Sequence, residues 1–260
     1  MPEDVFIHST AIVHEGAQLG VGVSIGPYAI IGPKVVLEDA VKVEAHAIVS
    51  EKTRIGAGSH IYSFASIGSV PQDKKYKGEE TELICGKNNV FREYSNVSTC
   101  TAGGGAKTQL GDGNLLMIHT HVAHDCIIGN NCILANGVSL AGHVEIGDSA
   151  VLGGHSAVHQ FCKIGTLGML AAGAMVAQDV PPFVLVHGDH AKPSGLNLIG
   201  LKRANWSSDE IQEIKKMYRL LYSSTLTLED TIQSIHRSFK GRHADLFLQF
   251  LRGSVRGICR

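Results

Sequence analysis

The chain has 260 residues and a formal net charge of -1, enough for one large domain or a large and a small one. A near-neutral balance gives no sign of a nucleic-acid surface or a polybasic membrane anchor, and any acidic partner would have to be met by a local patch. The N-terminal stretch MPEDVFIHSTAIV has no basic n-region and no apolar h-region, and no segment reaches the ~18 apolar residues of a membrane span, so a cytoplasmic protein is expected.

From Val13 an aliphatic residue recurs every six positions through Leu19, Ile25, Ile31, Leu37, Val43, Val49, Ile55 and Ile61 to Ile67, and the residue two places earlier is small or β-branched each time, from Ala11 to Ala65. A period of six suits neither the 3.6 of an amphipathic helix nor the 2 of a half-buried strand. It suits a short flat strand and a turn, with one large aliphatic side chain pointing inward on each side of a prism. The register breaks at Val70–Glu82, resumes through Cys85, Phe91 and Val97, breaks again at Thr99–Lys107, then runs from Leu110 to Val176. Thirty glycines are available for the turns.

The hexad resembles that of the hexapeptide-repeat proteins, whose chains coil left-handedly with three hexads per turn. The resemblance implies a mainly β fold, a left-handed parallel β-helix of about eight coils stacked roughly 4.8 Å apart. The pattern stops near Val180-Pro181-Pro182. Beyond it, Ser207 with Glu210 forms a capping box ahead of Ile211, Ile214, Met217, Tyr218 and Leu221, a second helix is predicted from Thr227, and a third from about Ala244 through Leu251. The division expected is a β-helix over 1–190, with external loops near 70–82 and 99–107, and a C-terminal α-helical domain over 191–260. The six cysteines have no CxxC spacing and read as buried small hydrophobes in a reducing compartment.

A regular prism is scaffold, so function is sought where its surface is interrupted. His119, His121 and His124 fall within six residues, Asp125 follows directly, and His143, His155 and His159 come later. At 18 residues per coil, His124 lies beneath residue 142 and residue 159 lies above 141, so His121, His124, His143 and His159 are predicted to cluster. Three readings compete: a general base at His124 supported by Asp125, imidazoles gathered as zinc ligands, or histidines that only satisfy turns. The first excursion carries Gln72, Asp73, Lys74, Lys75 and Lys77. Loops on a rigid scaffold favour binding groups, and these lysines read either as a phosphate contact or as a solvated tip. Gly103-Gly104-Gly105 lacks a phosphate-loop pattern and receives no phosphate role.

The strings FASIGSVPQDKKY, NLLMIHTHVAHDCIIGNNCILAN, LAGHVEIGD, AVHQFCKIG, AQDVPPFV and NLIGLKR are similar to those of the acyl-ACP:UDP-N-acetylglucosamine O-acyltransferases of lipid A synthesis, over nearly the whole chain. That resemblance implies His124 as general base, Asp125 as its support and Gly142 as an oxyanion donor. It implies substrate contacts from Gln72, Asp73, Lys75, His121, His143, His159, Gln160, Asn197 and Arg203. Ala172, in the segment that starts at Met169, matches a position that measures acyl-chain length, where glycine admits a longer tail. The partners implied are acyl carrier protein, a UDP-sugar and two further copies in a homotrimer. No metal is implied, and no cofactor beyond the phosphopantetheine of the carrier.

Three departures stand out. The family's common TIHRGT is here Asn96 to Thr101, its second arginine after the LK dipeptide is here Ala204, and the glutamate of NIEGLK is here Ile199. They fall near expected acceptor contacts, so a 3-amino sugar, giving an amide, stands beside the 3-hydroxyl acceptor. An N-acyltransferase of the same pathway carries an N-terminal domain ahead of its hexads, whereas here the repeat starts by residue 11. A γ-type carbonic anhydrase accounts for the histidines but for neither the Gln72–Lys75 loop nor the helical tail. A non-enzymatic scaffold leaves His124-Asp125 without a role.

Overall fold

In the computed structural model, which describes residues 4–103, 107–223 and 225–260, the hexads become two- to four-residue strands arranged on three flat faces. Successive strands step from face to face, so each strand pairs in parallel with the one three places on. The result is a left-handed parallel β-helix. It begins one hexad before the predicted start, at Phe6–Ile7, and continues to Met175–Val176. The first face holds Phe6–Ile7 and its stack, the second Ile12–Val13 and its stack, the third Gln18–Leu19 and its stack.

The inward position of each hexad forms the core. Ile25, Ile31, Ile55, Ile61, Ile67, Phe91, Val97, Leu116, Val122 and Leu134 have no exposed area, and the small residues Ala29, Ala47 and Val23 fill the space beside them. All six cysteines are buried and free. Burial pushes the thiols of Cys126 and Cys132 up to about 12 and those of Cys162 and Cys259 up to about 11, which leaves them as inert packing groups.

The stack continues across both excursions, with one register shift between Ile67 and Ser69 where the first begins. Ser66 pairs with Asn96 and Asn96 with His121, across separations of 30 and 25 residues where the regular step is 18. The second excursion is described through Gly103 and again from Lys107; Gly104, Gly105 and Ala106 lie outside the described residues. Along the edge between the first and second faces, Tyr28, His46, Phe64, Tyr94 and His119 stack as a ladder of rings with centroids 5.0–5.2 Å apart. Each occupies a turn position with φ between 58° and 63°.

The last coil is closed by an antiparallel hairpin, Val184–His187 with Lys192–Leu196, and then by helices α1 (Leu198–Arg203), α2 (Ser208–Tyr222), α3 (Leu228–Ser238) and α4 (Arg242–Arg252). The capping box forms as expected, with Ser207 Oγ accepting from the Glu210 N–H and Glu210 accepting from the Ser207 N–H. Thr227 caps α3. The hairpin and α1 were not expected. A second core of Phe183, Trp206, Ile214, Met217, Ile235 and Phe247 holds the helices to the end of the prism. Asp179, fully buried, ties the two parts: it accepts from the Lys163 N–H at 2.8 Å and from Ser254 Oγ at 2.6 Å. Among the described residues no helix is long and apolar enough to cross a membrane.

Candidate active site

The run His119–His124 spans a full side of the prism, so the fold divides it. His119 ends the ring ladder at one edge, and His155 sits on that same edge against Gly137. His121 lies in the second-face strand His121–Val122, and His124 reaches the edge between the second and third faces. Adjacent side chains ordinarily diverge. Here Asp125 adopts φ +61°, a conformation that aspartate tolerates better than most residues, and the turn brings its carboxylate back to its neighbour. His124 Nδ1 and Asp125 Oδ2 are 2.7 Å apart.

The Asp125 side chain has no exposed area and that of His124 only 15%. Thr101, at the start of the second excursion, donates its N–H to Asp125 Oδ1 at 3.1 Å and its hydroxyl to Oδ2 at 2.8 Å. The Asp125 N–H in turn donates to Thr108 Oγ1 at 2.9 Å. One coil up, His143 Nε2 is 3.6 Å from Asp125 Oδ2, and its ring stands edge-on to His124 and stacks on Phe161. Gly142, in the same coil as His143, lies directly against the His124 ring, where a Cβ would meet Cε1 at 2.5 Å.

His121 is fixed separately. Its Nδ1 is 2.8 Å from Asn96 Oδ1, and Asn96 Nδ2 donates to Ser69 Oγ at 2.9 Å. Burial, reinforced by nearby His124, lowers the His121 pKa below its ordinary value, which disfavours the imidazolium form. Asn96 is one of the departures noted above, and its amide is what orients this imidazole.

The first excursion packs beside the dyad, against Thr101 and His143. Asp73, Lys75, Tyr76 and Glu79 enclose with Thr101, Gly103 and His143 a cleft of about 250 Å³. Asp73 Oδ1 accepts from the Lys75 N–H at 2.9 Å, which curls the loop tip. The N–H groups of Glu79, Lys77 and Ala102 hold the Glu79 carboxyl below the usual carboxylate range, and the last of these links the two excursions. Gln72 is exposed and is not among the residues lining this cleft.

The remaining predicted residues divide. His159 and Gln160 are exposed on the edge that carries His124, one coil beyond Gly142, whose carbonyl accepts from the Phe161 N–H at 3.1 Å; His159 Nδ1 is 3.2 Å from the Gln160 carbonyl. Met169 belongs to the first face and Ala172 to the turn between the first and second faces, a different edge from the one that carries His124. Asn197 is buried as the α1 cap, its Oδ1 accepting from the Gly200 N–H and its Nδ2 donating to the Leu167 carbonyl. Arg203 is exposed at the end of α1. Sequence reading singled out neither Thr101 nor Thr108 for the dyad, nor Tyr76 and Glu79 for the cleft; no short-range pattern links residues 17–24 positions away from Asp125 to its carboxylate and backbone.

Comparison with known proteins identifies the family. Residues 179–259 match the family model described as UDP N-acetylglucosamine O-acyltransferase, domain 2, and residues 107–142 match the bacterial transferase hexapeptide model. The acyl-[acyl-carrier-protein]–UDP-N-acetylglucosamine O-acyltransferase of Aliarcobacter butzleri is 46% identical over 97% of both chains, and that of Herminiimonas arsenicoxydans 44% identical over 98% of this chain and 99% of the other. The solved structure of LpxA from Acinetobacter baumannii superposes with a TM-score of 0.95 at 43% identity, covering 98% of this chain and all of that one. The UDP-N-acetylglucosamine acyltransferase of Campylobacter jejuni gives 0.93 at 34% identity, covering 97% and 98%. The chain belongs to the acyl-[acyl-carrier-protein]–UDP-N-acetylglucosamine O-acyltransferase family.

Proposed function

We propose that this protein transfers an (R)-3-hydroxyacyl group from acyl carrier protein to the 3-hydroxyl of UDP-N-acetylglucosamine, the first step of lipid A biosynthesis, with His124 as general base. The observation that carries the reading is the 2.7 Å pairing of His124 Nδ1 with a fully buried carboxylate. A proton on Nδ1, directed to Asp125, leaves Nε2 as the acceptor nitrogen. His124 takes the proton of the sugar hydroxyl as its oxygen attacks the thioester carbonyl carbon. The Gly142 N–H, which donates to no other group among the described residues, stabilises the resulting oxyanion. Collapse breaks the C–S bond, and the imidazolium returns the proton to the departing phosphopantetheine thiolate, so His124 ends neutral. No metal and no cofactor beyond the carrier-borne thioester enters these steps.

Asp73, Lys75 and His143 line the cleft beside the dyad and are assigned to substrate contact, with His121, His159, Gln160, Gln72 and Arg203 extending it. Asn197 is assigned a positioning role, since its polar side-chain atoms are already engaged. Ala172 as a chain-length residue sits on a different edge from His124, which supports a homotrimer in which one copy supplies the base and a neighbour the ruler. The protein works in the cytoplasm, where acyl carrier protein and UDP-sugars are made, as two parts: the β-helix to about residue 190 and the helical domain beyond it.

Transfer from acyl carrier protein thioesters to UDP-N-acetylglucosamine, measured for the unmodified protein and His124→Ala, tests this. The alanine variant should lose at least ~10²-fold; near-normal activity would remove the base assignment. The 3-amino acceptor is the second arm of that assay, motivated by Asn96, Ile199 and Ala204. A zinc enzyme is the remaining alternative, because single ligand atoms of His124, Asp125 and His143 lie within 4.8 Å of one another. One tightly held zinc per chain, with hydration of carbon dioxide, would favour it.

A further inference from the structure

We infer that Thr101 and Thr108, the two ends of the second excursion, staple the carboxylate that supports the base, and that Thr101 is through its hydroxyl a positioning residue for the reaction. Both ends of the excursion grip one residue. Thr101, where the chain leaves the prism, holds the Asp125 carboxylate through its N–H and its hydroxyl, one to each oxygen. Thr108, where the chain returns, accepts the Asp125 backbone N–H. Asp125 is thereby fixed by side chain and backbone in a left-handed turn. Its Oδ2 receives two short contacts, from Thr101 Oγ1 at 2.8 Å and His124 Nδ1 at 2.7 Å.

A carboxylate can rotate about its terminal torsion at low cost, and a rotated Asp125 presents a different lone pair to the imidazole. The paired donors of Thr101 remove that freedom. The hydroxyl also withdraws charge from Oδ2 and moderates how strongly Asp125 favours the imidazolium form of His124. Thr101 lines the cleft too, and Glu79 joins the first excursion to Ala102, the next residue. The charged and titratable groups facing the dyad are His143 from the next coil, His121 from the preceding strand, and Asp73, Lys75 and Glu79 from the first excursion.

The inference rests on His124 acting as the base, and its test separates the two. Thr101→Val keeps the backbone N–H and the side-chain shape but removes the hydroxyl; Thr101→Ser restores it. For Thr101→Val, kcat should fall roughly 10- to 100-fold with KM changed little. The acid limb of the kcat/KM profile should move to higher pH, because a less solvated carboxylate favours the imidazolium. Thr101→Ser should recover both. The inference is overturned by a folded Thr101→Val with normal kcat and an unmoved acid limb, by equal impairment of the serine and valine variants, or by lost activity that tracks a lowered melting temperature with the pH profile unchanged. His124→Ala runs in parallel. If it is inactive while Thr101→Val is normal, only the Thr101 role falls; if it retains activity, the general-base reading falls and takes this role with it.

Discussion

The imidazole of His124 rests on the backbone of Gly142, so close that a Cβ at that glycine would stand 2.5 Å from Cε1 and 2.8 Å from Nε2. The neighbour is the working nitrogen's own ring, and Asp125 already fixes it from the other side. Gly142→Ala must therefore displace His124. With the fold retained, kcat should drop by about 10²-fold, as expected when a reacting group moves by an ångström or so. Steady-state kinetics beside a melting curve will check it; an active alanine variant with an unchanged KM would show that the ring has room to move.

Asp125→Asn tests the tautomer. An amide at this position, already clamped by two Thr101 donors, turns a hydrogen-bonding NH₂ toward one of them or toward His124. The loss expected is of order 10²- to 10⁴-fold in kcat, by analogy with other buried carboxylate–histidine pairs. Circular dichroism and kinetics on the same preparation suffice, and an asparagine variant within tenfold of normal contradicts the assignment.

His121 gives a pH signature of folding. Its pKa is lowered, mainly by burial, from an ordinary 6.5. Below that value the unfolded chain binds a proton that the folded chain does not, so stability is complete above pH 6.5 and declines as pH falls toward the folded pKa. The NMR titration midpoint of His121 should lie below 6.5, and His121→Gln should lose stability less steeply between pH 7 and 5 than the unmodified chain. A midpoint at or above 6.5 contradicts this.

Ala172→Gly should shift acyl preference toward longer chains. Each buried methylene is worth about 0.8 kcal/mol, or roughly fourfold in selectivity. Competing two thioesters that differ by two carbons in one reaction reads this directly, and an unchanged ratio in the variant would remove the ruler.

In the interior, Phe91→Ala should cost about 3–5 kcal/mol, since the ring is wholly buried between coils. At the surface, Ser207→Ala should cost about 1 kcal/mol by opening the capping box. Denaturant melts compare the two, and a reversed order would mean that the helices, not the prism, limit stability.

The prism was legible because its rule is local. Val13 to Ile67 place an aliphatic side chain inward every six residues, half-buried at the open first coil and buried from Ile25 on, and the strands formed where that repeat placed them. The dyad was legible as adjacency, although only the left-handed turn at Asp125 makes adjacency into contact. The histidine run was less legible: three imidazoles within six residues span a whole side, so His119 went to one edge and His124 to the next. Thr101 and Thr108 gave no signal, because their link to Asp125 depends on how a loop re-enters the stack. α1 did leave a trace, since Asn197 stands three residues before Gly200 as a cap requires, but six residues are too few to show a helical period.

The three-sided stack has a consequence for which length changes the gene can tolerate. Pairing advances by 18 residues in the regular part; the two excursions depart from it, and the closing turn of the column, where Met169 pairs with Leu185, steps by 16. Removing a single hexad within a regular stretch between the dyad and the helical end would turn everything beyond it by one side, carrying Ala172 to another edge relative to His124 while the interior stayed equally apolar. Removing three would restore the edge and lower that part of the column by one rung of roughly 4.8 Å. Such a molecule keeps time like an odometer: folding alone cannot detect a six-residue slip, catalysis can, and viable insertions and deletions outside the two excursions should come in whole coils.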